Sequence, residues 1–292
     1  MEPTTMILDG LALSKKIGEK LKKKISSLKE VPKLAIIQVG DVSQSTIFIS
    51  RKIKYAKDIG ADTEHVKFPE TISEDDLRKK LGVLNKNPNI HGIIIQLPLP
   101  KHLNFFNLVD VIGQEKDVDG LGLQNIRGLF SGERHGIIPA TVRGILSLLK
   151  EYKIEIKGKK VVIINRSVLV GKPLALALLN ENATVSICHS QTKNLKQEIQ
   201  TADIVISAIG KPKILGSDYF KKGQIVIDVG ISSGIPEEME GRTISGDVDF
   251  AKVKDVVMAI SPVPHGVGPM TVASLFMNLV EVVERKGNDG RL

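Results

Sequence analysis

The chain has 292 residues, 42% of them apolar and 25% charged, which suits a folded globular protein with room for two domains. Its single cysteine, Cys188, excludes an internal disulfide and fits a reducing compartment. The formal net charge of +8 accompanies only 4% aromatic residues, no tryptophan and dispersed lysines, so an anionic small substrate is expected rather than a nucleic acid.

At the N-terminus no continuous apolar core of signal-peptide type occurs, and Glu2, Asp9 and Glu19 do not suit a transit peptide. No apolar run approaches the length of a bilayer span, so a cytoplasmic chain without a membrane partner is expected. Leu13, Ile17, Leu21, Ile25 and Leu28 recur at helical spacing over about 10 to 30. Lys22-Lys23-Lys24 then forms the wet face of an amphipathic helix. Pro32 ends that segment, and Lys33 to Val39 reads as a buried strand. Ser43 to Ile59 reads as a helix with Ile49, Ile53 and Ala56 as its inward stripe, and Phe48, Lys52 and Tyr55 beside it. A short strand is expected from Thr63 to Phe68. Ser73, with Asp76 three residues on, opens a helix to about Leu84. Gly92 to Leu97 reads as another buried strand, ended by Pro98-Leu99-Pro100. This alternation makes a parallel sheet covered by helices.

Lys116 to Arg134, rich in Gly and Asp, reads as loop, and a helix follows from about Thr141 to Tyr152. Val161 to Ile164 has no polar alternation, as in a strand buried on both faces. After it come the polar turn Asn165-Arg166-Ser167, then Gly171-Lys172-Pro173 and a Leu/Ala run of helix formers. A strand, a turn and a helix N-terminus offer free N–H groups and a positive dipole end to an anion, with Arg166 adding a planar cation. The turn lacks the full G-x-G-x-x-G spacing. Further strands are expected at Ala183–Cys188, Ile204–Ala208, Gln224–Val229 and Thr243–Ser245. The last long helix, about Thr271 to Arg285, presents Val272, Leu275, Phe276, Leu279 and Val283 inward. The fold class is α/β: two α/β lobes with a cleft between them, the C-terminal one a Rossmann-like dinucleotide-binding lobe.

Six stretches stand in a telling order: QLPLP (Gln96–Pro100), KDVDG (Lys116–Gly120), RSxxVGxP (Arg166–Pro173), VIDVGI (Val226–Ile231), GDV (Gly246–Val248) and PVPxGVGPMTVA (Pro262–Ala273). Together they resemble the methylenetetrahydrofolate dehydrogenase/methenyltetrahydrofolate cyclohydrolase family over nearly the whole chain. The resemblance implies a folate-binding catalytic domain at 1–140 and an NADP-binding domain at 141–270. The helix over 271–286 would pack back on the first, and the assembly would be a homodimer. It implies oxidation of 5,10-methylenetetrahydrofolate with NADP, followed by hydrolysis of the methenyl product to 10-formyltetrahydrofolate. The alternative is a dehydrogenase with weak or absent cyclohydrolase activity.

By the same resemblance Lys52 is the essential lysine, Gln96 its hydrogen-bond partner and Asp119 the acceptor for the pterin. Phe48 packs on tetrahydrofolate derivatives, and Pro264, Gly266 and Gly268 form a loop across the cleft. Asn165, Arg166, Ser167, Ser190 and Ile231 bind the cofactor, with Ser190 and Arg166 favouring a 2′-phosphate and hence NADP over NAD. Asp117 is expected to be structural, and no metal is expected. Five positions depart from the family's pattern: Phe48 replaces a tyrosine, Asn165 and His265 replace glycines, and Ala140 and Val142 replace Cys and Pro. Asn and His are residue types that tolerate a left-handed backbone. Tyr55 is a candidate substitute for the missing hydroxyl at Phe48. All five changes are expected near the cleft, bearing on activity more than on fold.

Overall fold

The computed structural model describes residues 5–133, 136–230 and 244–289. Strands among them are β1 (Met6–Ile7), β2 (Lys33–Val39), β3 (Asp62–Phe68), β4 (Gly92–Ile95), β5 (Lys160–Ile164), β6 (Thr184–Cys188), β7 (Ile204–Ser207), β8 (Ile225–Asp228) and β9 (Ala259–Ile260). The chain divides into two compact units, Met1–Ser14 with Thr141–Thr271, and Lys15–Ala140 with Val272–Leu292.

The unit holding Thr141–Thr271 is built on an all-parallel sheet in the order β1-β9-β8-β7-β5-β6. Strands β7 and β8 are buried along their whole length, as is β5 beyond Lys160. Helices cover both faces of such a sheet, so no alternation survives in the sequence. From β5 the chain crosses to β6 on one side and returns to β7 on the other. The β5/β7 boundary is therefore the topological switch point, where doubly wound sheets bind ligands at their C-terminal ends. The first residues join this unit because β1 pairs with β9, Met6 opposite Ala259, and because the Thr5 hydroxyl donates to the Val257 carbonyl at 2.8 Å. On sequence grounds they go with 15–140, since a two-residue edge strand leaves no readable pattern. The strand expected at Thr243–Ser245 falls partly outside the described residues, and within them Ser245 carries a bridge. Nearby, an isolated bridge pairs Leu215 with Val248.

In the other unit a parallel sheet runs β3-β2-β4. Leu34 and Ile36 of β2 and Ile94 of β4 pack with Ile49, Ala56, Phe276 and Leu279. The helix Ser43–Ile59 closes on Gly60 at φ 82°, a left-handed stop that glycine adopts without strain. The helix Glu74–Lys86 starts on Ser73, whose hydroxyl accepts the Asp76 N–H at 3.1 Å. Inside the expected loop over 116–134 lies a helix, Leu123–Ser131. Its Leu123 and Phe130 face solvent and Leu129 is buried, and the glycines at 122, 128 and 132 are what make the stretch read as loop.

The last helix, Val267–Asp289, begins four residues before Thr271. Pro269 sits in its first turn, where no intrahelical N–H is needed. Contrary to the expectation that no run approaches bilayer length, Val267–Lys286 is long and apolar enough by length and composition, with a mean hydropathy of 1.3. Its apolarity has a local use. Leu275, Phe276, Leu279 and Val280 lie in the core beside β2 and β4.

Candidate active site and dinucleotide crevice

Four expected substrate-site residues fall in the unit built on β3-β2-β4. Phe48 and Lys52 stand one helical turn apart on Ser43–Ile59. Gln96 follows β4, and its N–H donates to the Ile37 carbonyl at 2.8 Å, fixing it at the C-terminal edge of the sheet. Lys52 Nζ donates to Gln96 Oε1 at 2.7 Å, while Gln96 Nε2 donates to the Leu97 carbonyl at 2.7 Å. The second bond fixes the amide's orientation, so the oxygen is what faces the amine. Burial holds Lys52 below the ordinary lysine pKa, opposed by the nearby Asp119 carboxylate. Asp119 is pushed up to about 6, first by burial and further by Asp117, with Lys52 pulling the other way. The pair thus brings a lysine and an aspartate towards neutrality from opposite sides. Such convergence is what a proton-transfer site requires of its titratable groups.

The frame around Asp119 accounts for the rest of the DVDG stretch. Asp117 accepts N–H bonds from Gly120 at 3.0 Å and Gly122 at 2.7 Å, and one from Asn125 Nδ2 at 2.9 Å. All its capacity turns inward, as expected of a structural carboxylate. Lys116 is buried too, and its ammonium donates to the Asn85 and Asn87 carbonyls, each at 2.7 Å. It thereby closes the C-terminal end of the helix Glu74–Lys86. Asn278, absent from the sequence expectations, donates to the Val118 carbonyl at 2.8 Å and the Ile138 carbonyl at 3.0 Å. It holds the peptide just before Asp119. The available signal was a lone amide in the apolar stripe of the last helix. Tyr55 does not replace the missing hydroxyl at Phe48. Its ring packs on Phe276 at 5.5 Å between centroids, and its oxygen lies against Gly18.

The cofactor residues fall in the other unit. Arg166 and Ser190 each lie two residues beyond the register pair Ile164–Cys188, at the C-terminal ends of adjacent strands, and both are exposed. His189, Ser190, Gln191 and Thr192 follow β6 without an acid. This donor set fits a 2′-phosphate better than a bare ribose, which an acidic residue would grip. Ile231 lies outside the described residues. Asn165 is not in a left-handed conformation, so backbone tolerance does not explain it. Its side chain is instead bonded on both sides: Oδ1 accepts the Ser167 N–H at 2.7 Å and the Gly171 N–H at 3.1 Å, and Nδ2 donates to the Ala208 carbonyl.

The VIDVGI and GDV stretches form one buried clamp. The Asp228 carboxylate accepts the N–H groups of Gly230, Asp247 and Val248 at 3.0, 3.1 and 2.9 Å. Asp247 in turn accepts the Ser207 hydroxyl at 2.7 Å and the N–H groups of Ile209, Gly210 and Lys211. Burial and the neighbouring Asp247 push Asp228 up to about 7. A Cβ on Gly246 would overlap the Asp228 carboxylate, which accounts for a glycine there.

Pro264, Gly266 and Gly268 also belong to this unit, and Gly268 is in the first turn of the last helix rather than in a loop. His265 does take the left-handed backbone, at φ 85°, and its side chain is exposed. Two of the five departures are core positions. Ala140 and Val142 are fully buried, Ala140 in the core with Ile94 and Leu275. Those two changes bear on packing.

Two family models match the chain. One, described as tetrahydrofolate dehydrogenase/cyclohydrolase, catalytic domain, covers residues 8–119. The other, tetrahydrofolate dehydrogenase/cyclohydrolase, NAD(P)-binding domain, covers residues 139–287. The bifunctional protein FolD of Wolbachia sp. subsp. Drosophila simulans is 43% identical over 280 residues, 94% of each chain. The cytoplasmic C-1-tetrahydrofolate synthase of Schizosaccharomyces pombe is 43% identical over 288 residues, and the chain spans 31% of that longer protein. Among solved structures, the Trypanosoma brucei methylenetetrahydrofolate dehydrogenase-cyclohydrolase, complexed with NADP cofactor and inhibitor, superposes with a TM-score of 0.93. It is 33% identical, with 98% of this chain and 99% of that one covered.

Proposed function

The chain belongs to the tetrahydrofolate dehydrogenase/cyclohydrolase family, and from that premise we propose that it oxidises 5,10-methylenetetrahydrofolate with NADP and hydrolyses the methenyl product to 10-formyltetrahydrofolate. The observation that carries the reading is the 2.7 Å bond from Lys52 to an amide whose orientation is fixed, beside Asp119. NADP supplies the hydride acceptor; binding, orientation and proton movement fall to the chain's own side chains.

Asp119, ionised above about pH 6, offers two acceptor oxygens to the N–H groups of the pterin and so sets the folate's orientation. Departure of a hydride leaves a cation on the one-carbon bridge and moves no proton. The residues needed there are those that position the folate and keep positive charge away. A lysine whose burial favours the neutral amine meets the second need. Hydrolysis is different. Water adds to the methenyl carbon and one of its protons passes to the Lys52 amine. The bond from that carbon to N5 then breaks as that proton is delivered to N5, and the remaining hydroxyl proton leaves to solvent, giving the neutral formyl group. Gln96 holds Nζ at one place throughout. Arg166 and Ser190 are assigned to the 2′-phosphate, and Phe48 to the flat face of the folate. A homodimer in the cytoplasm completes the proposal, with sedimentation of the purified chain as the test of its assembly state.

Following NADPH formation and methenyl loss separately in purified protein tests the reading, with NAD run beside NADP. Turnover of both steps with NADP preferred is expected; no methenyl loss above the uncatalysed rate would remove the hydrolase half. A pH series adds a sharper check. Because Asp119 takes up its proton as pH falls through about 6, kcat/KM for methylenetetrahydrofolate is expected to drop below that pH and to level off above it. A profile flat down to pH 5 would contradict the role given to Asp119.

A further inference from the structure

The turn after β5 shows how the cofactor's phosphates are met, an inference that rests on the NADP reading above. In dinucleotide folds the pyrophosphate lies at the switch point against the N-terminal N–H groups of the first helix. Here the helix is Gly171–Asn180, and each donor of its first turn is already engaged. The Val170 N–H donates to the Ser167 hydroxyl at 3.1 Å and the Lys172 N–H to the Ser167 carbonyl at 3.0 Å. Pro173 has no N–H, and the Leu174 N–H bonds the Val170 carbonyl at 2.9 Å.

The remaining donor, Gly171 N–H, is taken by Asn165 Oδ1, together with the Ser167 N–H. The same amide reaches across the sheet from the end of β5 to the Ala208 carbonyl, just beyond β7. Asn165 therefore spans the switch point itself, with a partial negative charge at the helix N-terminus and its NH2 on the neighbouring strand. Gly171 is what permits this. A Cβ there would overlap the Asn165 carbonyl, so the turn closes only with glycine opposite the amide.

We propose that the Asn165 side chain is a built-in substitute for a phosphate oxygen. It occupies the two N–H donors that would otherwise grip the cofactor's pyrophosphate, and it leaves that charge to the exposed side chains of Arg166 and Lys172. Asn165 is then a residue that sets cofactor affinity by obstruction, whereas a glycine at the same place would leave both donors open. A purely structural amide, one that only ties β5 to β7, would affect stability without distinguishing one nucleotide from another.

Isothermal titration of wild-type protein and Asn165→Gly with NADP and with adenosine 2′-monophosphate separates these roles, because the second ligand has no 5′-phosphate. Asn165→Gly is expected to bind NADP on the order of tenfold more tightly, since two N–H groups become available to a charged acceptor. Its affinity for adenosine 2′-monophosphate should be unchanged. Asn165→Ser, too short to reach both sides, should shift NADP binding the same way and serves if the glycine variant does not fold. Unchanged or weaker NADP binding in a folded variant, or an equal gain with both ligands, would overturn the proposal. Failure of wild type and variants to bind either ligand would instead overturn the NADP reading beneath it, and this inference with it.

Discussion

Replacing Lys52 by methionine is expected to slow methenyl hydrolysis by about 10²- to 10⁴-fold, the usual worth of a positioned proton carrier, while dehydrogenase turnover falls less than about tenfold. The difference follows from proton bookkeeping. Hydride departure from the one-carbon bridge moves no proton, whereas hydrolysis needs one taken from water and one delivered to N5. Methionine keeps the length and apolar body of the stem on the helix Ser43–Ile59. It removes only the amine that donates to Gln96. Folding should not suffer, because the deleted charge is one that burial already disfavours. Separate progress curves for the two steps check this, and equal losses in both would contradict a role confined to hydrolysis.

Asp119→Asn is expected to raise KM for the folate by roughly 10- to 100-fold, from loss of charge-assisted bonds and an NH2 group turned towards pterin donors. It should also make the protein more stable at neutral pH. The folded carboxyl is pushed up to about 6, above its ordinary value. The unfolded chain therefore releases its proton first as pH rises. Through that interval the native state loses stability, and the loss stays constant above about pH 6. Asparagine does not titrate. The gain in melting temperature over wild type should be absent near pH 3, grow between about pH 4 and 6, and level off beyond. A second effect concerns Lys52, since Asp119 is the group that opposes its desolvation. Without it the amine should lose its proton still more readily. Variant and wild-type melting curves that keep the same separation from pH 3 to 8 would contradict the charge coupling.

Much of this was legible in the sequence, for identifiable reasons. Strands β2, β4, β5, β7 and β8 are buried in parallel sheets, and such strands read as unbroken apolar runs. The helix Ser43–Ile59 was legible because Ile49 and Ala56 of its expected stripe are buried and it stops at Gly60, although Ile53, also expected inward, is exposed. Lys52, Gln96 and Asp119 could be named from the family resemblance, and the structure brings Lys52 onto Gln96 with Asp119 close enough to act on it electrostatically. What stayed hidden depends on contacts between distant residues. Strands β1 and β9 are two residues each and exist through pairing with one another and with β8. Asn278 and Lys116 act on carbonyls at remote positions, and no local pattern announces such a bond. Asn165 stands out in the sequence as a departure, but for a different reason than the one its residue type suggests. Backbone tolerance is the natural inference for an asparagine replacing glycine, whereas the structure uses its side chain. The helix Leu123–Ser131 was lost because the glycines at 122, 128 and 132 read as loop and two of its large apolar residues, Leu123 and Phe130, point outward.

The proposed hydrolysis comes back to an amine that burial makes easier to deprotonate and that Asp119 restrains. The direct test is the NMR titration of the Lys52 ε-group in isotopically labelled protein, assigned by its disappearance in Lys52→Met. Deprotonation at lower pH than the bulk of the lysines is predicted, moving lower still in Asp119→Asn. An ε-group that titrates with the exposed lysines and ignores the Asp119 substitution would contradict it.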